Sequence, residues 1–269
     1  MICPLKSKNE IMAALARTAD DRLLLAGLLD KAQTCQTRGY LTHTKFLDLN
    51  ERALCTEAVR LSGAAGYAVF WGGYEEAERG IYLFYPDYLD EQAAVQAAPV
   101  ALLRARKRKE DTLTHRDYLG ALMGLQIDRS VVGDILVHEE GADILVLEDM
   151  ADFILLHFAK AGRKQISLTK EPLFALRVAA AAEKEGTGSV ASPRLDSVVA
   201  LIFGLGRKQA QEKIEHGLVF VNHTPCLKPE RPVAEGDRLT VRGLGRARIE
   251  AFGGVSRKGR LFVRFAKTG

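Results

Sequence analysis

The chain has 269 residues, 47% of them hydrophobic and 27% charged, with a formal net charge of +4; this is the make-up of a globular protein with a real core and room for two or three domains. No apolar run reaches the length of a membrane span, and the opening MICPLKSKNEIMAALAR lacks a continuous apolar signal core, so a cytoplasmic protein that meets no membrane is expected. The four cysteines, at 3, 35, 55 and 226, form no CxxC pair or finger spacing and the six histidines are scattered, which predicts reduced thiols and neither a metal site nor a cofactor.

Residues 8 to 62 read as helical: Ile11, Leu15, Ala19, Leu23 and Ala26 recur at helical spacing, and a further helix is predicted over roughly 51–61. After Gly63 and Gly66, YAVFW and GIYLFY read as strands separated by GGYEEAER, with Trp71 expected in the core, and Pro86 ends this unit. From residue 99 the period changes. PVALLRARKR predicts a strand, and THRDYLGALMGL a helix capped by Thr114 with Asp117 in its first turn. GDILVHE and ADILVLE predict two strands joined at Glu140-Gly141, EDMADFILLHFAKAG a helix ending at Gly162, and KQISLTK a last strand. Strand, helix, strand, strand, helix, strand is the ferredoxin-like order, shared by the RNA-recognition-motif fold.

EKEGTGSVAS reads as a flexible linker by composition. Ser192 is expected to cap the next helix with Pro193 at its first position. The stripe Leu195, Val198, Val199, Ile202 and Phe203 then packs with Ala210, Ile214 and Leu218 of a second short helix. The strand LVFVN, a strand after Gly236-Asp237, and the pair ARIEAF and RLFVRF around GGVSRKG complete the chain. The predicted class is α+β: a helical N-terminal domain over 1–88, a ferredoxin-like domain over 89–182, a linker over 183–191 and a small helix-and-strand domain over 192–269.

Charge is placed unevenly. Residues 194–269 carry fifteen Lys/Arg against seven Asp/Glu, a net of +8, while the preceding residues carry twenty-three against twenty-seven, a net of −4. A basic end patterned with apolar residues points to a polyanion partner. Arg207 and Lys208 open the second short helix, where cations oppose the positive helix end and cost stability. The same geometry suits a phosphate, which free N–H groups and cationic side chains meet together. Arg194, Gln211, Lys213, Lys228 and Arg231 are read as members of this patch, and Asn222 as a turn residue that also reaches RNA. Changing Arg207 and Lys208 to Glu is therefore expected to weaken RNA binding while stability holds or rises slightly. Arg104, Arg106, Lys107, Arg108 and Lys109 form a second candidate RNA patch. The strands ILVHE and ILVLE lack the aromatics of a base-stacking sheet, so the central domain is expected to bind RNA by shape and backbone, or to bind protein. His115-Arg116-Asp117 is not a kinase catalytic loop, because Leu122 stands where Asn is required.

Arg194-Leu195-Asp196, Arg207-Lys208-Gln209-Ala210, Ile214, Gly217-Leu218-Val219, Val221-Asn222, Lys228-Pro229 and Gly236-Asp237 together resemble the RNA-binding domain of small-subunit ribosomal protein S-four, the alpha-L motif. Gly206 and His223 depart from that pattern, which usually has Ser and Gly there. Three further segments, Phe46-Leu47-Asp48 through Glu51, Phe70 to Arg79 and Thr114 to Ile135, extend the resemblance over nearly the whole chain to the YlmH-type bacterial RNA-binding proteins. The resemblance implies binding to rRNA and tRNA on the large ribosomal subunit, and a part in quality control of stalled nascent chains. No catalytic residues are expected, and a monomer is.

Two other classes are weighed. An RNA-modifying or tRNA-charging enzyme with an appended alpha-L domain would need a large catalytic domain after the motif or a nucleotide-binding fold before it, and neither pattern is present; Asp196 is better read as structural. A cell-division adaptor with secondary RNA binding would keep its partners after nuclease treatment.

Overall fold

The computed structural model describes residues 6–178, 184–255 and 259–268. The chain divides into two compact units, Met1–Val178 and Ala179–Gly269.

The first unit opens with helices α1 (Lys8–Leu15), α2 (Ala19–Arg38) and, after the short strand β1 (Thr42–His43), α3 (Leu49–Ser62). Each helix starts on a capping box: Ser7 with Glu10, Thr18 with Asp21, Asp48 with Glu51. These reciprocal bonds satisfy otherwise orphan amides, at about 1 kcal/mol for a good cap. They also explain why the apolar period over 8–62 breaks into separate helices. α2 and α3 stop at Gly39 and Gly63, both left-handed. Ile11, Leu25, Leu28, Cys35, Cys55 and Ala58 fill the core between these helices and an antiparallel sheet. That sheet has the order β1-β3-β2, where β2 is Ala68–Trp71 and β3 Ile81–Phe84.

After α4 (Glu91–Gln96) come β4 (Val100–Arg106), α5 (His115–Met123), β5 (Val132–His138), β6 (Gly141–Leu147), α6 (Glu148–His157), the small hairpin β7 (Lys160–Ala161) and β8 (Lys164–Gln165), and β9 (Ser167–Glu171). The sheet order is β5-β6-β4-β9, antiparallel throughout. This is the ferredoxin-like arrangement that the element order predicts. α6 ends at His157, short of Gly162, because Phe158 turns into the core (2% exposed) and the hairpin follows.

No boundary falls near residue 88. The loop between β2 and β3 docks on β5, where a bulge between Val132 and Ile135 presents Asp134. That carboxylate accepts from Tyr74 Oη at 2.9 Å, Glu78 N at 2.8 Å and Arg79 N at 3.1 Å. Arg79 also donates to the carbonyls of Val132 and Phe46. Phe46, Ile81 and Leu83 join the core of the second sheet, and Trp71 packs half-buried against it. The segments 1–88 and 89–178 thus lie in one compact unit, the first lending buried residues to the core of the second. β4 and β6 are buried at every position except Arg106. Successive strand residues face opposite sides, so both faces of the middle of this sheet are covered.

In the second unit, β10 (Lys184–Val190), α7 (Leu195–Phe203), α8 (Arg207–Glu215), β11 (Val219–Val221), β12 (Thr224–Pro225), β13 (Arg238–Val241), β14 (Gly245–Val255) and β15 (Leu261–Thr268) build a six-stranded sheet. Its order is β10-β15-β14-β13-β11-β12. α7 and α8 pack on one face through Val198, Val199, Ile202, Ala210 and Ile214, against Leu239, Val241, Ile249 and Val263. Residues 184–190, expected in a flexible linker, pair with β15 from Lys184↔Lys267 to Val190↔Leu261. A Cβ on Gly188 would come within 2.5 Å of Leu201 Cδ1; the glycine that reads as flexibility allows close packing on α7. The rest of the expected linker's amino end, together with residues 179–182, lies outside the described residues. α7 begins later than expected, with Arg194 in the cap position. Residues 193–194 run extended instead, since Val233 N donates to Pro193 O and Arg194 bridges to Pro232. Among the described residues, no helix is long and apolar enough to cross a membrane.

Candidate nucleic-acid interface

α8 starts at Gly206, which has no side chain to cap it; the Gly206 N–H donates to Gln209 Oε1 at 3.1 Å. The first-turn amides keep their partial positive charge, and Arg207 and Lys208 stand exposed at that end. The residue that organises the site is on the neighbouring helix. Asp196, 0% exposed, accepts from Arg194 Nε at 3.2 Å and Nη2 at 3.3 Å, Arg207 Nε at 3.2 Å, Gln211 Nε2 at 2.9 Å and Ser197 Oγ at 3.2 Å. Burial pushes its carboxyl upward, but the bonds from Gln211, Arg194 and Arg207 outweigh burial and bring its pKa down to about 2. One buried negative charge thus holds two guanidiniums whose side chains stay 38% and 60% exposed. The cluster keeps a net positive charge, and its arginines are oriented before any ligand arrives.

The loop with Lys228 and Arg231 is tied to the start of α7 by main-chain bonds: Leu195 N to Arg231 O at 2.8 Å and Asp196 N to Pro229 O at 3.0 Å. Arg194, Arg207 and Gln211 therefore meet at Asp196, with Lys228 and Arg231 on the loop anchored beside it. Lys208 and Lys213 share α8 but are not partners of Asp196. Asn222 does not join this cluster. In a left-handed turn (φ 51), it donates to Asp237 Oδ1 at 2.7 Å and accepts from Arg238 N at 2.8 Å, which makes it a brace between β11 and β13. His223 takes φ 65, the conformation that glycine enters more freely.

Two expectations change. Arg207 is bonded to a buried carboxylate, so Arg207→Glu would set two carboxylates together and lower stability rather than preserve it; the relief expected at the helix start applies to Lys208. The second patch splits as well. Arg104 is 6% exposed and forms a fork with the buried Asp143, at 2.7 Å and 2.8 Å, while also donating to Ala175 O. Asp143 further accepts from Arg177 N at 2.7 Å and has His138 Nε2 at 3.4 Å. The chain at 175–177 covers this part of the sheet, so Arg104 is an internal tie and not an RNA contact. Arg106 lies 3.4 Å from Glu171, Lys107 is half-buried, and Arg108 and Lys109 are exposed beyond the strand. Among the described residues, no group of three or more His, Cys, Asp or Glu could hold a metal ion.

Two helices presenting basic side chains around a buried carboxylate, on a small sheet, define an RNA-binding module, and the S4 domain family model matches residues 193–239. The family model described as the putative RNA-binding domain in YlmH matches residues 104–174. The ribosome-associated protein quality control protein P2 of Bacillus subtilis (strain 168) is 32% identical over 248 residues, covering 92% of this chain and 95% of that protein. Among solved structures, the cell division protein ylmH from Streptococcus pneumoniae matches 59% of this chain and 95% of its own, at 24% identity and a TM-score of 0.48. The chain belongs to the YlmH family of RNA-binding proteins.

Proposed function

We propose that the protein is a non-catalytic RNA-binding factor that acts on the large ribosomal subunit, contacting rRNA and tRNA in the quality control of stalled nascent chains. The observation that carries this reading is the convergence of Arg194, Arg207 and Gln211 on Asp196 at the open amino end of α8. Such a surface grips phosphates through several preset donors and reads few bases. The Bacillus subtilis relative's name, a ribosome-associated quality control protein, supports the choice of partner. The protein is taken to act as a cytoplasmic monomer.

Lys208→Glu is the cleanest test, because Lys208 is exposed and outside the Asp196 cluster. Removing a cation from the helix start should hold or raise stability, by about 0.3 to 1 kcal/mol. Co-sedimentation with large ribosomal subunits should drop severalfold. A variant that melts normally and still sediments like the parent would place the ribosome contact elsewhere. Incubation with ribosomal and transfer RNA should leave the RNA mass unchanged; a protein-dependent mass shift would overturn the non-catalytic reading.

A further inference from the structure

The sheet of the second unit has two faces, and α7 and α8 occupy only one. Register identifies the residues on the other. Arg238 pairs with Arg248, Thr240 with Arg246, and Arg248 with Ala266. Opposed residues share a face, and residues two apart on a strand share it too. Arg238, Arg246, Arg248, Arg264 and Phe262 therefore stand on the face opposite the helices, while Leu239, Ala247, Ile249, Val263 and Phe265 point into the core.

Three features of this outer face are unusual for a plain solvated surface. Arg238 and Arg248 lie directly opposite each other, a like-charge pairing that weakens a sheet. Two of the arginines share one carboxylate: Glu250, 22% exposed, has Arg264 Nε at 3.1 Å and Arg248 Nη2 at 3.9 Å, and the two arginine side chains remain 61% and 51% exposed. A groove of about 500 Å³ lies here, lined by these three residues with Glu185, Gly236 and Ile249. Finally, Phe262 is 48% exposed. Its cross-strand partner on β10 is Ser189, and a bulge in β14 sets Gly253 against its Cβ. Among the described residues, the positions directly opposite on those strands carry no bulky side chain to cover the ring.

An exposed aromatic on a sheet beside arginines matches single-stranded nucleic acid, whose bases stack while its phosphates find cations. A duplex hides its base faces and has no use for the ring. An acidic peptide would use the arginines alone. We propose that this outer face is a second RNA site, one that takes single-stranded RNA, with a base stacked on Phe262 and backbone phosphates on Arg248 and Arg264. All three residues lie beyond the S4 match at 193–239, so the site belongs to the added strands and not to the alpha-L core.

The full chain is titrated with fluorescein-labelled oligouridine and with an RNA duplex of equal length. Phe262→Ala should weaken oligouridine binding roughly tenfold, with duplex and ribosome binding and the melting temperature unchanged, and Arg264→Gln, which sets no second carboxylate beside Glu250, should weaken it severalfold. Phe262→Trp should keep the affinity. The chain has a single tryptophan, Trp71, so this variant should also gain an emission that oligouridine quenches. Unchanged oligouridine affinity in Phe262→Ala, or unquenched emission in Phe262→Trp, overturns the proposal. So does equal competition by polyglutamate at matched salt, which would mark a charge-only surface for a protein. Lys208→Glu reports on the helical face independently, so loss at one face and not the other tells which reading fails.

Discussion

At the scale of single residues, Asp196 carries the most physical consequence. Its folded pKa of about 2 lies below the ordinary value of 3.8. A depressed carboxyl contributes stability that is complete above the unfolded pKa and is lost as pH falls through the folded one. The difference amounts to about 2 kcal/mol, and its window runs from about pH 4 down to about pH 2. Asp196→Asn should therefore lose about that much stability at neutral pH, measured by urea unfolding. The gap between variant and parent should close as the pH approaches 2. A gap that stayed constant across that window would mean that the arginine bonds contribute nothing through charge. In sequence, Asp196 reads only as a structural residue of the motif. Two of its partners, Arg207 and Gln211, lie eleven and fifteen positions away on α8, and only the packing of two helices brings them within 3.2 Å.

Among the elements, the hairpin of β5 and β6 shows how local chemistry and tertiary packing combine. The Glu140-Gly141 signal for the turn is legible in sequence, and the structure adds why glycine is required there. Gly141 has φ 151, and a Cβ would lie 1.9 Å from the Ala105 carbonyl on β4. The obstacle is backbone, which cannot rotate aside. Gly141→Ala should destabilise the first unit by about 3 kcal/mol, seen as a lower urea midpoint with an unchanged slope. Behaviour like the parent's would show that the sheet yields at this edge. β10 teaches the reverse lesson. Its glycines and serine read as a linker because composition registers the absence of bulky side chains. It does not register the neighbouring leucine against which that absence is useful.

For the whole molecule, the +8 of residues 194–269 against the −4 of the rest makes binding to structured RNA an ion-exchange process. Affinity should fall linearly with salt on logarithmic axes, with a slope of roughly 0.7 to 0.9 per phosphate contacted. A salt series on the parent and on Lys208→Glu should differ by about one contact. A flat dependence in the parent would remove the phosphate-grip model altogether. The net charge of +4 understates this effect, since the acidic first unit masks the basic second one.

The α+β class, the ferredoxin-like strand order and both short helices of the alpha-L motif are legible in the sequence, as is the run of basic residues along its second helix. These follow from local rules: apolar period, capping residues, turn glycines and the placement of charge along one helix. Which basic residues stay exposed depends on chain far away in sequence. Arg104 and Arg106 look alike in a basic run, yet one is locked to Asp143 inside the protein and the other is exposed, because a segment some seventy residues later covers only the first. Phe46, Arg79 and Asp134 read as separate pieces and meet at a single bulge. A strand's period tells which side a residue faces, but what lies on that side depends on chain far away in sequence, and there the free energy of burial is settled.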